Sequence, residues 1–398
     1  MSLISSNGDS TTLYSSTELS ERMKDSGKKE GIIRDSSSLL SVVYVGCRTT
    51  KERNARGEGI NVFQVNHKSG NWEQIQLVKD IINPSFLTFD RNKNFLYTVH
   101  GDCSEVSAFK IDKRTGKLTF INKQSTGGRN PVHLVVDATN QYIVVSNYIS
   151  GTLSVLPINV DGSLKELCNL TELPERTEDP NVNLYAKQGI PHPHHNPLDP
   201  TGRFFIVPDL GLNRLYIYTL DSEQGKLVVN NPPYVDTGKG SGPRHVDFHP
   251  SLPYLYLANE LDSTVATYYF NVQEGSLVHL QTLSTLPERV INNTCAEVFT
   301  SPSGKFVYVS NRGHNSIAIF KVDQSNGLLS PVGWEPTLGE TPRFFTFDSS
   351  GQFLFVANED SDTIVSFKLN DEDGKLMFTG QVVQTGSPVC ILPSLVDS

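Results

Sequence analysis

A frame that opens at Pro or another small residue and closes, usually at Asn, sixteen residues later recurs six times along this chain, and no other feature restricts its fold as much. The copies are PSFLTFDRNKNFLYTVH from Pro84, PVHLVVDATNQYIVVSN from Pro131, PHHNPLDPTGRFFIVPD from Pro193, PRHVDFHPSLPYLYLAN from Pro243, CAEVFTSPSGKFVYVSN from Cys295 and PRFFTFDSSGQFLFVAN from Pro342. They close at His100, Asn147, Asp209, Asn259, Asn311 and Asn358. Each holds two apolar strands joined by a turn; a third strand follows, then an Asp/Asn-x-x-x-Gly-x-Leu turn. The anchors lie 47, 62, 50, 52 and 47 residues apart, which suits a four-stranded propeller blade better than a helical repeat. Within each copy the apolar pattern has period two, and β-branched and aromatic residues dominate, as in VSAFKI, IAIFKV and TIVSFKL. The fold class is therefore all-β.

The chain ends supply a seventh blade. SPVCILPSL near Pro388 reads as one more first strand with nothing after it, while SVVYVGCRT, GINVFQVN and WEQIQLV near the start read as the second, third and fourth. A seven-bladed β-propeller closed by both termini leaves no open sheet edge. Residues 1–40 fall outside the repeat and are rich in Ser, Thr and charge, so they read as a flexible tail, with residues 41–398 as a single propeller. The longest interval contains TELPERTEDPNVNLYAKQG, an insertion over about 171–190 of the kind that is often functional.

Composition removes several classes of function. With 34 Lys+Arg against 43 Asp+Glu, a net charge of −9 argues against a nucleic-acid partner, though local basic pockets for small anions remain open. No apolar run is long enough for a membrane span, and the start lacks the basic and apolar regions of a secretory signal, so a cytoplasmic location is expected. Cys47, Cys103, Cys168, Cys295 and Cys390 are odd in number and contain no C-x-x-C pair, which suggests reduced thiols. The two Asn-x-Thr sequons then read as chance matches.

If the copies superpose, residues at one frame position share one height around the central channel. Just after the anchor stand Ser85, Val132, His194, Arg244, Ala296 and Arg343; one place further stand Phe86, His133, His195, His245, Glu297 and Phe344. Just after the closing residue stand Gly101, Tyr148, Leu210, Glu260, Arg312 and Glu359. Ionisable groups collect at these three positions. Arg244, Glu260 and Arg312 depart from what most copies carry, which a blade-stabilising role does not predict. Recurrence of P-x-H at His133 and His245 suits a structural hydrogen bond within the blade, and the closing Asn residues suit turn capping. His192 and His194 share a face in HPHH, but no Asp, Glu or Cys at ligand spacing accompanies them, so neither a metal nor another cofactor is expected. Paired guanidiniums can hold a carboxylate or phosphate, a carboxylate can activate water, and a histidine can return the proton. General acid/base chemistry on a small anion follows, since no G-x-S-x-G elbow or reactive-cysteine context appears.

The runs YVGCRT, STGGRNPVHLVVD, PHPHHNPLDPTGRFFIVPDLGLNRLYIYTLD, GSGPRHVDFHP, LANELDSTV and SNRGHNSIAIFKVD resemble the seven-bladed lactonase family, which includes bacterial-type 6-phosphogluconolactonases and fungal 3-carboxy-cis,cis-muconate lactonizing enzymes. The likeness covers about residues 41–394. It implies metal-independent opening or closing of a lactone on a small anionic substrate. The family's proposed active-site residues fall on His194, Arg244, Glu260 and Arg312, the last three also being outliers of the register. His195, following His194 where the family often has a small residue, leaves open which of His192, His194 and His195 acts. The leading expectation is a lactonase acting on a 6-phosphogluconolactone-like sugar lactone, with Glu260 activating water, Arg244 and Arg312 holding the anion and oxyanion, and His194 protonating the leaving oxygen. His195, His133, Tyr148, Glu297 and Arg343 are assigned to substrate binding. The alternatives are a carboxymuconate cycloisomerase and a non-catalytic binding platform. The stretch TTKERNARGEG is longer than the family leads one to expect and is placed at the channel mouth.

Overall fold

Alternation of apolar and polar side chains turns each copy of the frame into the two inner strands of a twisted antiparallel sheet. A computed structural model describes residues 40–66, 70–174, 186–288 and 290–395. Apart from Leu40, which opens the first strand, the expected tail of residues 1–40 lies outside the described residues, as do residues 175–185 of the expected insertion. The described strands form seven sheets, six of four strands and one of three. In chain order, blade 1 spans residues 84–125, blade 2 131–172, blade 3 204–236, blade 4 243–284, blade 5 294–336 and blade 6 342–384. Strand Pro388–Leu395 then pairs antiparallel with Leu40–Cys47, completing blade 7 with Ile60–Asn66 and Trp72–Val78. The ring closes as the sequence predicts.

Blade 3 departs from the pattern. Its expected inner strand, from Pro193 onward, is reduced to isolated bridges between Pro193 and Asp209 and between Leu198 and Phe205. Pro193 and Pro197 have no N–H to give to a ladder, so regular pairing cannot run through them. The irregular backbone carries His192, His194 and His195.

Apolar faces of neighbouring sheets pack against each other. Tyr97, Val99, Leu134, Val136, Ile143 and Val145, for example, fill the gap between blades 1 and 2. Each such buried side chain contributes roughly 1.5–3 kcal/mol relative to exposure. The repeated Gly turn joins blades as well. The Tyr256 hydroxyl of blade 4 donates to the carbonyl of Gly327 in blade 5, and Tyr97, Tyr308 and Tyr44 reach Gly162, Gly374 and Gly116 in the same way. Gly327 has φ +72°, and a Cβ there would stand 2.4 Å from the Tyr254 ring, so both backbone and packing demand glycine.

The closing Asn residues do more than cap a turn. Asn311 and Asn358 donate to the carbonyls of Thr285 and Thr337, which directly follow the outer strands of the preceding blades.

Candidate active site

The second frame position closes the channel. Phe86, His133, His195 and His245 meet at its centre, with ring centroids 4.3 Å apart for Phe86 and His133 and 4.0 Å for His133 and His195. His195 stacks on His245 at 4.2 Å and 6°, and Phe344 meets Phe86 at 6.0 Å. This aromatic floor makes the channel a cup rather than a pore.

Above the floor lies a cavity of about 380 Å³, lined by side chains that include Tyr148, Lys187, His194, Glu260, Arg312 and Arg343. Its remaining charged lining is Arg48, Arg53, Arg129 and Asp102. Six cations against two carboxylates, in a chain of net charge −9, make the cup a local positive well. Five of the residues singled out from sequence, Tyr148, His194, Glu260, Arg312 and Arg343, line this one cavity, while Arg48, Arg53, Arg129, Asp102 and Lys187 were passed over. Arg48 was legible: Cys47 pairs with Pro388, so Arg48 holds in blade 7 the frame position of Glu260 and Arg312. Arg53 comes from a short 3-10 turn, Lys51–Arg53, in the long loop expected at the channel mouth. Lys187 follows the undescribed part of the insertion, and no repeat could have signalled it.

Two ionic clusters organise the cup. Glu260 receives Lys187 Nζ at 2.8 Å on Oε1, and Arg312 at 3.0 Å and Arg244 Nε at 3.3 Å on Oε2. Burial alone would push the Glu260 carboxyl up; Arg312, Arg244 and Lys187 overcome it and hold it down at about 2. Arg244 itself is fully buried, bonds the carbonyl of Ala296 and does not line the cavity. Glu359 forms the second cluster, 3.0 Å from Arg48 Nε and 3.8 Å from Arg343 Nε. Asp102 ties Arg48 to Arg53. Burial and the neighbouring Arg343 lower Arg48 to about 10, so its guanidinium stays charged at neutral pH.

The histidines divide by layer. Both nitrogens of His192 face backbone carbonyls, of Tyr148 at 2.8 Å and Ala186 at 2.7 Å, and its ring stacks on Tyr148 at 4.3 Å. His194 lines the cavity, with Nδ1 3.1 Å from His245 Nε2. Burial, then Arg244, Arg343 and Arg312, push His194 well below its ordinary range, so it is neutral at pH 7. His133, His195 and Glu297, assigned to substrate binding from sequence, lie in or beside the floor and do not line the cavity; Tyr148 and Arg343 do. The P-x-H hydrogen bonds also run between blades, not within one. His133 Nδ1 meets Asn196 at 2.6 Å, and His245 Nδ1 meets Glu297 at 2.8 Å. Between the anchor and the second frame position the ladder register shifts in both strands, between Pro131 and His133 and between Pro243 and His245.

Among the described residues no group of three His, Cys, Asp or Glu side chains is placed to hold a metal ion, and no helix is long and apolar enough to cross a membrane. Fold and site together define a seven-bladed propeller with a cationic cup at one mouth of a closed channel. Residues 42–393 match the family described as lactonase, 7-bladed beta-propeller, and the chain belongs to that family of lactone-hydrolysing enzymes. It is 33% identical to a 6-phosphogluconolactonase of Bacillus subtilis over 87% of this chain and 97% of that one. Against a 6-phosphogluconolactonase of Formosa agariphila it is 36% identical, covering 77% and 86% respectively. The solved structure of a periplasmic gluconolactonase of Pseudomonas aeruginosa superposes with a TM-score of 0.81 at 28% identity, covering 90% of this chain and 100% of that one.

Proposed function

We propose that this enzyme hydrolyses a sugar-acid lactone carrying a second, anionic end, 6-phosphogluconolactone being the substrate that fits, by metal-independent general acid/base catalysis. The observation that carries this reading is the excess of guanidinium and ammonium groups around a cup that also holds one neutral imidazole, His194. Arg48, Arg53 and Arg343 form one cationic arc suited to a phosphate, and Arg312 with Lys187 forms another beside His194. An excess of cations disfavours a divalent metal in the same space. A phosphorylated sugar acid does not cross membranes unaided, so the reading goes with a cytoplasmic enzyme.

The roles differ from those expected from sequence. A carboxylate gripped by three cations and held near 2 is a weak base, so Glu260 instead keeps Arg312 and Lys187 in place. His194 takes the proton from attacking water and returns it to the leaving ring oxygen. Arg312 faces the charge that develops on the carbonyl oxygen. His192, whose nitrogens are occupied by carbonyls, and His195, in the floor, are structural.

The test compares turnover of 6-phosphogluconolactone, unphosphorylated gluconolactone and carboxymuconate, the last by ultraviolet absorbance. The reading expects kcat/KM to favour the phosphorylated lactone and Arg48→Ala to remove that preference while sparing the unphosphorylated one. Turnover of carboxymuconate alone would transfer the chain to cycloisomerisation, and turnover of none would leave a binding platform.

A further inference from the structure

Three side chains from successive segments of the ring form a buried line leading out of the cup. His194 Nδ1 lies 3.1 Å from His245 Nε2, and His245 Nδ1 lies 2.8 Å from Glu297 Oε1. Their exposures are 6%, 2% and 2%, so solvent does not intervene along the line. Glu297 Oε1 also accepts the N–H of Val298 at 3.1 Å, whereas Oε2 is buried without a hydrogen-bond partner. Blade architecture does not call for a carboxylate here. The equivalent residues are Phe86, His133, His195, His245, Phe344 and, in blade 7, Cys390.

Charge gives the line a purpose. Arg244, Arg343 and Arg312 oppose a positive charge on His194, and Glu260 is occupied by cations of its own. The carboxylate that reaches His194 through hydrogen bonds is Glu297. Two neutral imidazoles in series can point their protons in only two ways. With Glu297 ionised, it accepts from His245 Nδ1–H, His245 Nε2 accepts from His194 Nδ1–H, and His194 Nε2 is left with a bare lone pair. With Glu297 protonated, every bond in the line reverses and His194 Nε2 carries hydrogen.

We propose that Glu297 and His245 are positioning residues that set the tautomer of His194, so that ionised Glu297 makes the free nitrogen of His194 a base. This rests on the reading of the cup as a lactone-hydrolysing site. In the step it serves, a water O–H bond breaks and its proton goes to Nε2 as the oxygen adds to the lactone carbonyl carbon. The carbonyl electron pair moves onto oxygen beside Arg312. Collapse re-forms the C=O bond and breaks the ring C–O bond, and the ring oxygen takes the proton back from Nε2. His194 ends neutral, and the product acid releases its carboxyl proton to solvent.

The line responds to pH. Glu297 faces His245, Arg244 and Asp247 of strand Pro243–Phe248, Arg343 of strand Pro342–Phe347, and the Cys390 thiol of strand Pro388–Leu395. His245 faces Arg244, His195, His194 and His133; His194 faces Arg244, Arg343, Arg312 and His195. Burial raises Glu297 out of the ordinary carboxylate range, with Arg244 and Arg343 opposing, while burial and the same guanidiniums keep both histidines neutral. The base form therefore grows as pH rises and Glu297 ionises.

Proton placement on His194 is read by nitrogen NMR of histidine-labelled protein between about pH 6 and 9.5, with H194Q for assignment. Wild type is expected to pass from protonated to bare Nε2 as pH rises, and Glu297→Gln to lose that change. In Glu297→Gln and His245→Phe, kcat on the best lactone should fall about 10²-fold or more with KM little changed, and the alkaline rise in rate should vanish. A His194 that holds one tautomer throughout, or a Glu297→Gln enzyme that keeps the wild-type response, overturns the proposal. The wild-type titration needs H194Q only to assign the signal and no substrate, so it decides the line even if no lactone is turned over, an outcome that would instead overturn the lactonase reading.

Discussion

Asp209 stands where the frame closes with Asn in blades 2, 4, 5 and 6, and replacing it with Asn should stabilise the protein in a pH-dependent way. Its side chain is fully buried, Oδ1 accepts the Leu212 N–H at 2.8 Å, and Oδ2 has no hydrogen-bond partner. Burial raises its pKa from 3.8 to about 7, against the pull of nearby backbone N–H groups and Arg214. Because the folded pKa is the higher one, the folded state holds a proton that the unfolded chain has already released between these values. Stability therefore falls as pH rises from about 4 to about 7 and is flat above. Three units at about 1.4 kcal/mol each give a penalty of about 4 kcal/mol at pH 8, of which roughly 1.5 kcal/mol is already present at pH 5. Asn carries no charge and can donate where the orphan oxygen sits, so Asp209→Asn removes the pH-dependent part. Guanidinium unfolding followed by the fluorescence of Trp72 and Trp334 measures this. The advantage of the variant over wild type should grow by about 2–3 kcal/mol between pH 5 and pH 8, and titrations common to both proteins cancel in that comparison. An advantage that is equal at both pH values, or a variant less stable than wild type at pH 8, would refute the reasoning.

Other outcomes follow from the same physical picture. Lys187→Ala removes one of three cations from a carboxylate that keeps two, so KM for an anionic lactone should rise several-fold with kcat nearly unchanged, measured by steady-state kinetics. Raising ionic strength should raise KM for the phosphorylated lactone more than for the neutral one, because screening acts on the cationic well. Gly327→Ala should lower the melting temperature and cost about 1–3 kcal/mol, since the new Cβ meets the Tyr254 ring at a positive φ. Deleting residues 388–398 removes the inner strand of blade 7 and should yield aggregating protein by light scattering, because strand Leu40–Cys47 then becomes an open edge.

The blade count, the closure through both termini and the three frame positions that build the cup and its floor were all legible in the chain, because a repeat aligns each copy against six others and exposes outliers. The same comparison would have reached Arg48 had it been carried through the split blade. Lys187 and Arg53 were not legible in this way, since they stand in loops whose paths no periodicity constrains; Arg129 and Asp102 stand two residues from the frame residues Pro131 and His100, just outside the positions compared. Depth was also hidden. His194, His195, Arg244 and Glu297 occupy neighbouring frame positions, yet only His194 among them reaches the cavity, because bulges and prolines tilt successive side chains toward the cup, the floor or the next blade.

The sequence by itself determined a closed all-β ring and the frame positions where ionisable residues collect, because hydrophobic period and register are local properties written in every copy. Tertiary structure decided what those residues do. It brought three cations onto Glu260, which hold its carboxyl down against burial, and it joined His194, His245 and Glu297 across blade boundaries into one buried line. Charge and proton placement depend on distances between segments some fifty residues apart, and those distances exist only once the ring has closed.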